Sequence, residues 1–224
     1  MKLVIGNKNY SSWSFRPWIA MTALKIPFEE VLIPFGSPLG NPDFRTRLAA
    51  YTPAGLVPVL IDGDIHVWET LAIMEYLAER FPDKQLWPAD QAARAHARAI
   101  ASEMHAGFLA LRSECPVNFR RPVRTRALSA GAQANVARVD AVWRECRARY
   151  GGPFLFGRFC AADAMYAPMA ARLETYGQTV SREARAYMEA LMALPAWAAW
   201  RTAALKETWI VPEDEVDWPT VLTA

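Results

Sequence analysis

The chain has 224 residues, 53% hydrophobic and 21% charged, with 25 basic against 23 acidic side chains for a formal net charge of +2. That suits one or two globular domains with real cores, gives no electrostatic reason to expect nucleic acid or an anionic membrane, and contains no apolar run near the ~20 residues of a membrane span. The N-terminus lacks the pattern of a secretory leader. Three scattered cysteines, Cys115, Cys146 and Cys160, argue against a disulfide framework and no Cys/His spacing suggests a metal, so a reduced, cytoplasmic protein is expected.

In chain order, residues 2–5 form a predicted strand and 14–24 a predicted helix, with Tyr10-Ser11-Ser12-Trp13 between them. Strand, polar turn and helix N-terminus form the geometry in which backbone N–H groups and the helix dipole hold an anion. Two adjacent serine hydroxyls add donors, and a thiolate is an anion that such a turn holds without bonding to it covalently. The plain alternative is that the serines only cap the helix. Residues 28–33 read as a second strand, 34–42 as a Pro- and Gly-rich loop, and 43–49 as a short helix introduced by Asn41-Pro42-Asp43. Val57-Pro58-Val59-Leu60-Ile61 and Ile65-His66-Val67 are β-rich runs joined by Asp62-Gly63-Asp64, a hairpin signal. With a helix over 69–80, the order βαβ then ββα suits a small α/β sandwich of about four strands.

Leu86-Trp87-Pro88-Ala89-Asp90 reads as a linker. Everything beyond it is alanine-rich and helical, in expected segments 91–112, 130–150, 162–176, 181–193 and 195–207. The expected architecture is an α/β domain over residues 1–85 followed by an all-helical domain over 86–224.

Two further positions carry chemistry. A proline opening an interior strand cannot donate to the ladder. A cis Val57–Pro58 bond would resolve this and turn the Val57 backbone toward a ligand, whereas an edge strand would tolerate Pro58 with no ligand at all. At Trp68-Glu69-Thr70 a strand hands over to a helix. Glu69 and Thr70 either favour the helix start or apply the same physics to a ligand, Thr70 binding a carboxylate and Glu69 an ammonium group. An α-amino acid carries both groups on one carbon.

Together, Ser-Ser-Trp-Ser-Phe-Arg-Pro-Trp from Ser11, Val-Pro-Val-Leu-Ile-Asp-Gly from Val57 and Glu-Thr-Leu-Ala-Ile-Met-Glu-Tyr-Leu from Glu69 resemble the cytosolic glutathione transferases, in particular their serine-type, zeta-like bacterial branch. The resemblance covers essentially the whole chain. It implies a thioredoxin-like N-terminal domain, an all-helical C-terminal domain, glutathione as co-substrate and a homodimer. It also implies that Ser11, with Ser12 as second choice, hydrogen-bonds the glutathione sulfur. Val57, ahead of Pro58, would pair its backbone with the cysteinyl unit, and Glu69 and Thr70 would hold the γ-glutamyl ammonium and carboxylate. Gly157-Arg158-Phe159-Cys160-Ala161-Ala162-Asp163 resembles the family's structural capping box, with Cys160 where Ser or Thr is usual, so a weaker cap is expected.

Two departures stand out. Gly55-Leu56 occupies the place of the long polar side chain that the family often offers to the glycyl end, leaving Arg45 as a basic candidate. Trp13 stands where zeta-type isomerases usually have cysteine, which counts against maleylacetoacetate isomerisation. The expected activity is therefore conjugation of glutathione to a small hydrophobic electrophile. The alternatives are a glutathione-dependent isomerase and a non-catalytic ligand-binding protein on the same fold. Serine forms no mixed disulfide, which disfavours thiol–disulfide exchange. Trp13, His105, Phe108 and Arg112 are the expected lining of the second-substrate pocket, the last three sharing one helical face at i, i+3 and i+7, with core packing or a snorkelling surface position as the alternative. Arg120 and Arg121 are expected in solvent, and Trp197 and Trp200 in the core.

Overall fold

Alternation along the first strand decides the layering. In β1 (Lys2–Ile5), Leu3 and Ile5 pack into one large core while Val4 turns to the opposite face, where Ile33, Leu48 and Val59 meet it. The computed structural model describes residues 1–35 and 43–216; the expectations placed on 36–42, including Asn41-Pro42, and on 217–224 lie outside the described residues. After β1 come α1 (Ser12–Ala23), β2 (Glu29–Leu32), α2 (Phe44–Leu48), β3 (Val59–Asp62), β4 (Ile65–Trp68) and α3 (Thr70–Arg80). The sheet order is β2-β1-β3-β4. β1 pairs parallel to β2, with Lys2 opposite Glu29, and antiparallel to β3, with Leu3 opposite Leu60. β4 completes the hairpin, Trp68 opposite Val59. β3 is thus interior, and the Val57–Pro58 bond just before it is cis.

Pro17 lies inside α1 and brings no N–H to the helix. The carbonyl four residues earlier, on Trp13, therefore has no helical donor, and the Thr70 hydroxyl donates to it at 3.4 Å. One proline thereby ties the start of α1 to the start of α3.

Among the described residues the regular elements of the C-terminal part are helices: α4 (Gln91–Ala106), α5 (Leu109–Glu114), α6 (Ala130–Tyr150), α7 (Ala161–Thr175), α8 (Arg182–Met192) and α9 (Pro195–Leu205). α7 is its axis, buried without interruption from Ala161 to Leu173, and its many alanines let α1 and α4 pack close against it. Trp197 and Trp200 are buried as expected, Trp200 stacked on Phe15 of α1 and Trp197 edge-on to it. At the start of α7 the Cys160 N–H donates to Asp163 Oδ2 at 2.8 Å and the Leu155 N–H to Oδ1 at 3.0 Å. Burial raises the Asp163 carboxyl to about 6. Among the described residues no helix is long and apolar enough to cross a membrane.

Two expectations need correction. The helix expected over 91–112 is broken into α4 and α5 by Gly107 and Phe108, the latter at φ 60°. A Cβ at position 107 would stand 2.7 Å from the Glu103 carbonyl oxygen, so the helix ends where only glycine fits. Arg120 and Arg121 are not solvated either. Arg120 is 4% exposed, its guanidinium donating to the Glu207 and Trp209 carbonyls and to the Tyr10 hydroxyl. Arg121 is half-buried, lies 4.3 Å over the Tyr176 ring and donates to the Thr175 carbonyl. The chain beyond α5 runs back beneath the C-terminal segment, which turns both arginines inward. That segment is fastened to the loop before α1 as well: the Glu207 carboxylate accepts the Lys8 and Asn9 N–H groups at 2.7 and 2.9 Å.

Candidate active site

Ser11 is the N-cap of α1. Its Oγ accepts the Ser14 N–H at 3.3 Å and donates to Ser14 Oγ at 2.7 Å, which also accepts the Gly6 N–H at 3.1 Å. Ser12 is the first helical residue, and its Oγ accepts from Arg172 Nη2 at 3.3 Å. Both serines are nearly buried and both line a chamber of about 480 Å³, together with Tyr10, Arg45, Arg112 and Arg172. A smaller cavity of about 230 Å³ adjoins it, lined by Pro58, Glu69, Thr70 and His105. Trp13, Leu56 and Val57 border both cavities, so the two form one groove from the start of α3 to the start of α1.

Glu69 sits at φ 68°, ψ 126°, a conformation that costs a non-glycine residue of order 1–3 kcal/mol and recurs at ligand sites. Its exposed carboxylate lies 3.7 Å from His105 Nε2. Thr70 is 1% exposed. The His105 ring is 5.1 Å from that of Trp13, and its Nδ1 is buried without a hydrogen-bond partner. The break after α4 assigns the remaining residues expected in the pocket to different places. Phe108 turns away from the groove into the core, edge-on to Tyr166, which corrects its expected pocket role. Arg112 lies on the chamber wall, held by the His105 and Gly107 carbonyls at 3.4 and 3.2 Å.

Three arginines converge beneath the serine turn. Trp13 lies between Arg16 at 4.2 Å and Arg112 at 4.8 Å from its ring centre. Arg16 is wholly buried and donates to the Met165 and Ser12 carbonyls at 3.0 and 2.7 Å. Arg172 is 5% exposed and donates to the Cys115 carbonyl at 2.7 Å, while its Nε has no partner. None of the three forms an ion pair among the described residues. Burial, with repulsion from Arg112, lowers Arg172 to about 10. Burial, then repulsion from Arg172 and Arg112, holds Arg16 well below its ordinary value. The acid that lines the chamber with Arg112 and Arg172 is Asp214, which burial raises to about 6 against the opposing pull of Arg172.

Arg16, Arg172, Tyr10 and Asp214 were not singled out from the sequence. Arg172 had a signal: it is the one cation of the alanine-rich α7, set between Ala171 and Leu173. Asp214 had none, since Glu213 and Glu215 flank it and only the fold decides which acid faces inward. The three cysteines are buried, and desolvation raises Cys115 to about 11 and Cys146 to about 12, so neither thiol is poised as a nucleophile.

The glutathione S-transferase N-terminal domain model matches residues 10–80, and the C-terminal domain model of the same family matches residues 122–203. A probable maleylacetoacetate isomerase of Caenorhabditis elegans is 36% identical over 99 residues, covering 44% of this chain and 44% of the relative. The glutathione S-transferase GstB of Escherichia coli is 28% identical over 174 residues, covering 73% of this chain and 82% of the relative. The chain thus spans less than half the length of the nematode relative. Among solved structures, a holo maleyl pyruvate isomerase described as a bacterial zeta-class glutathione S-transferase superposes with a TM-score of 0.69 at 23% identity, covering 91% of this chain and 98% of that one.

Proposed function

The chain belongs to the glutathione S-transferase family, and from that premise we propose that it binds glutathione along the groove and conjugates it to a small hydrophobic electrophile in the chamber beyond Trp13. The observation that carries this reading is the continuity of the groove: an acid and a helix start at one end, a serine turn with uncompensated cations at the other, and Val57 between them. The donor set fits the tripeptide. Glu69 faces an ammonium, Thr70 and the first turn of α3 face a carboxylate, Val57 offers backbone to the middle unit, and Arg45 stands ready for the glycyl carboxylate. Ser11 and the N-terminus of α1 hold the sulfur as a thiolate, and the nearby guanidiniums favour the same charge. Lowering a thiol pKa by ~2 units takes about 2.7 kcal/mol. The thiol proton passes to solvent, a carbon–sulfur bond forms, and the bond to the leaving group breaks with its electron pair.

A second reading, a glutathione-dependent isomerase, draws support from the nematode relative's description. Product analysis separates the two: a transferase consumes glutathione and an isomerase returns it. Buried, unpaired cysteines suit a reduced compartment, and the cytoplasm is the location that goes with either reading. The test is calorimetric titration of the purified protein with glutathione, followed by turnover on a panel of aryl halides. Saturable binding with thioether product is the expected outcome, and the absence of glutathione binding overturns it.

A further inference from the structure

The chamber holds more positive charge than its lining neutralises. Arg45, Arg112 and Arg172 border it, Arg16 lies directly behind Trp13, and Asp214 is the acid among its lining residues. Arg172 is nine-tenths buried, reaches the chamber wall beside Ser12, and still has an unpartnered Nε. A buried guanidinium with an open donor is a site for an anion. A thiolate over Ser11 satisfies one charge and leaves the rest.

The fold supplies one counter-charge of its own. Beyond α9 the chain crosses over the serine loop, tied down by Glu207 to Lys8 and Asn9, by Arg120 to the Glu207 and Trp209 carbonyls, and by the Tyr10 hydroxyl to Glu215. A single turn, Pro212–Asp214, then presents Asp214 to the chamber. Its carboxylate faces Arg172 without closing an ion pair, so it offsets part of the charge at long range and leaves the Arg172 Nε without a partner.

We propose that Asp214 is a specificity-determining residue: delivered by the C-terminal segment, its carboxylate competes for Arg112 and Arg172 with an acidic group on the second substrate. The role as second-substrate discriminator rests on the transferase reading, whereas the anion competition does not. An electrophile carrying a carboxylate binds between the two arginines, and Asp214 sets how strongly. Raised to about 6, Asp214 also makes the preference depend on pH. The charged groups that act on it are Arg172 from α7 and Glu213 and Glu215 on its own segment, and Arg112 from α5, Arg45 from α2 and Tyr10 from the loop before α1 line the same chamber. Tyr10, pushed up to about 12 by burial, stays neutral throughout.

The test compares 3-nitrobenzoate with its uncharged methyl ester by calorimetry, on the wild-type protein, on Asp214→Asn and on Glu213→Gln, which removes an exposed charge one residue away. Asp214→Asn binds the carboxylate about tenfold tighter and the ester unchanged, while Glu213→Gln stays within about twofold of wild type for both. In the wild type the carboxylate-to-ester affinity ratio rises as the pH falls from about 7.5 to about 5, because Asp214 takes up its proton, and in Asp214→Asn the ratio is flat. An unchanged ratio in Asp214→Asn, equal effects in both variants, or no carboxylate binding by any of the proteins overturns the inference. Glutathione titration of the same three proteins keeps the readings apart: its failure ends the transferase reading, and the nitrobenzoate comparison still stands or falls by itself.

Discussion

At Ser11 two acceptors compete for one proton. The hydroxyl donates to Ser14 Oγ, a neutral partner worth ~0.5–1.5 kcal/mol, whereas a thiolate offers a charge-assisted bond worth ~1.5–3 kcal/mol. On the proposed reading the thiolate therefore accepts the Ser11 O–H hydrogen bond in place of Ser14 Oγ, the proton staying on the hydroxyl, and Ser11 keeps its capping bond to the Ser14 N–H. Ser11→Ala raises the apparent pKa of bound glutathione and lowers turnover ~10–100-fold, with a smaller effect on affinity. Ser12→Ala frees an Arg172 donor and changes that pKa less. Thiolate absorbance of the two binary complexes against pH decides between the serines, and no shift in either sinks the serine mechanism. Glu69 is an exposed acid at a strained start of α3, so Glu69→Gln removes charge without touching the core and weakens glutathione binding by ~1.5–3 kcal/mol in calorimetry. Unchanged affinity would make Glu69 part of a helix start and nothing more. Thr70→Val is a poorer probe, because the buried hydroxyl bonds the Trp13 carbonyl and its loss costs stability as well, of order 1–3 kcal/mol.

The elements owe their placement to a few local exceptions. Pro17 and Thr70 join two helix starts through one carbonyl, and Gly107 ends α4 so that His105 and Arg112 reach the groove while Phe108 does not. The α7 start carries a titration signature. Asp163 rises from 3.8 to about 6 on folding, so the folded chain binds its proton more tightly than the unfolded chain. Its contribution is fully present below the unfolded value and is lost as pH rises through about 6, by up to about 3 kcal/mol. Asp163→Asn lacks this titration. Urea unfolding should therefore show the stability advantage of wild type over Asp163→Asn shrinking between about pH 4 and pH 7. A constant difference would mean that the carboxyl is ionised in the folded state across that range.

On the scale of the whole molecule, one core runs through both parts of the chain: Leu3, Phe15 and Ile73 share a hydrophobic cluster with Met104, Trp143 and Trp200. The C-terminal segment adds polar ties back to the first loop. β4 is an edge strand, and exposed Ile65 and Trp68 on it, with Leu56 nearby, leave apolar area uncovered on the single chain. We expect a second copy to cover it, the N-terminal sheet region of each subunit against the first C-terminal helices of the other. Sedimentation at micromolar concentration should give twice the 25.1 kDa chain mass, and a monomer alone would defeat the expectation.

The sequence by itself determined the elements, their order and the polar positions at their ends. Ser11, Ser12, Glu69 and Thr70 stand at helix starts, and helix starts are local features written in caps, strand patterns and turn residues. The interior proline at Pro58 was legible for the same reason. Periodicity missed the break at Gly107, because alanine-rich helix composition continues across it and the need for glycine there comes from the carbonyl one turn back that a Cβ would meet. What only the tertiary structure decided is the electrostatics of the chamber. Arg16, Arg112 and Arg172 come from three helices, and Asp214 from a segment about two hundred residues beyond the serines. Each is an ordinary charged residue in its own neighbourhood. Packing α1 against α7 and drawing the C-terminal segment across both brings these charges into one poorly solvated space, where their mutual energies depend on distance and burial that no local pattern encodes.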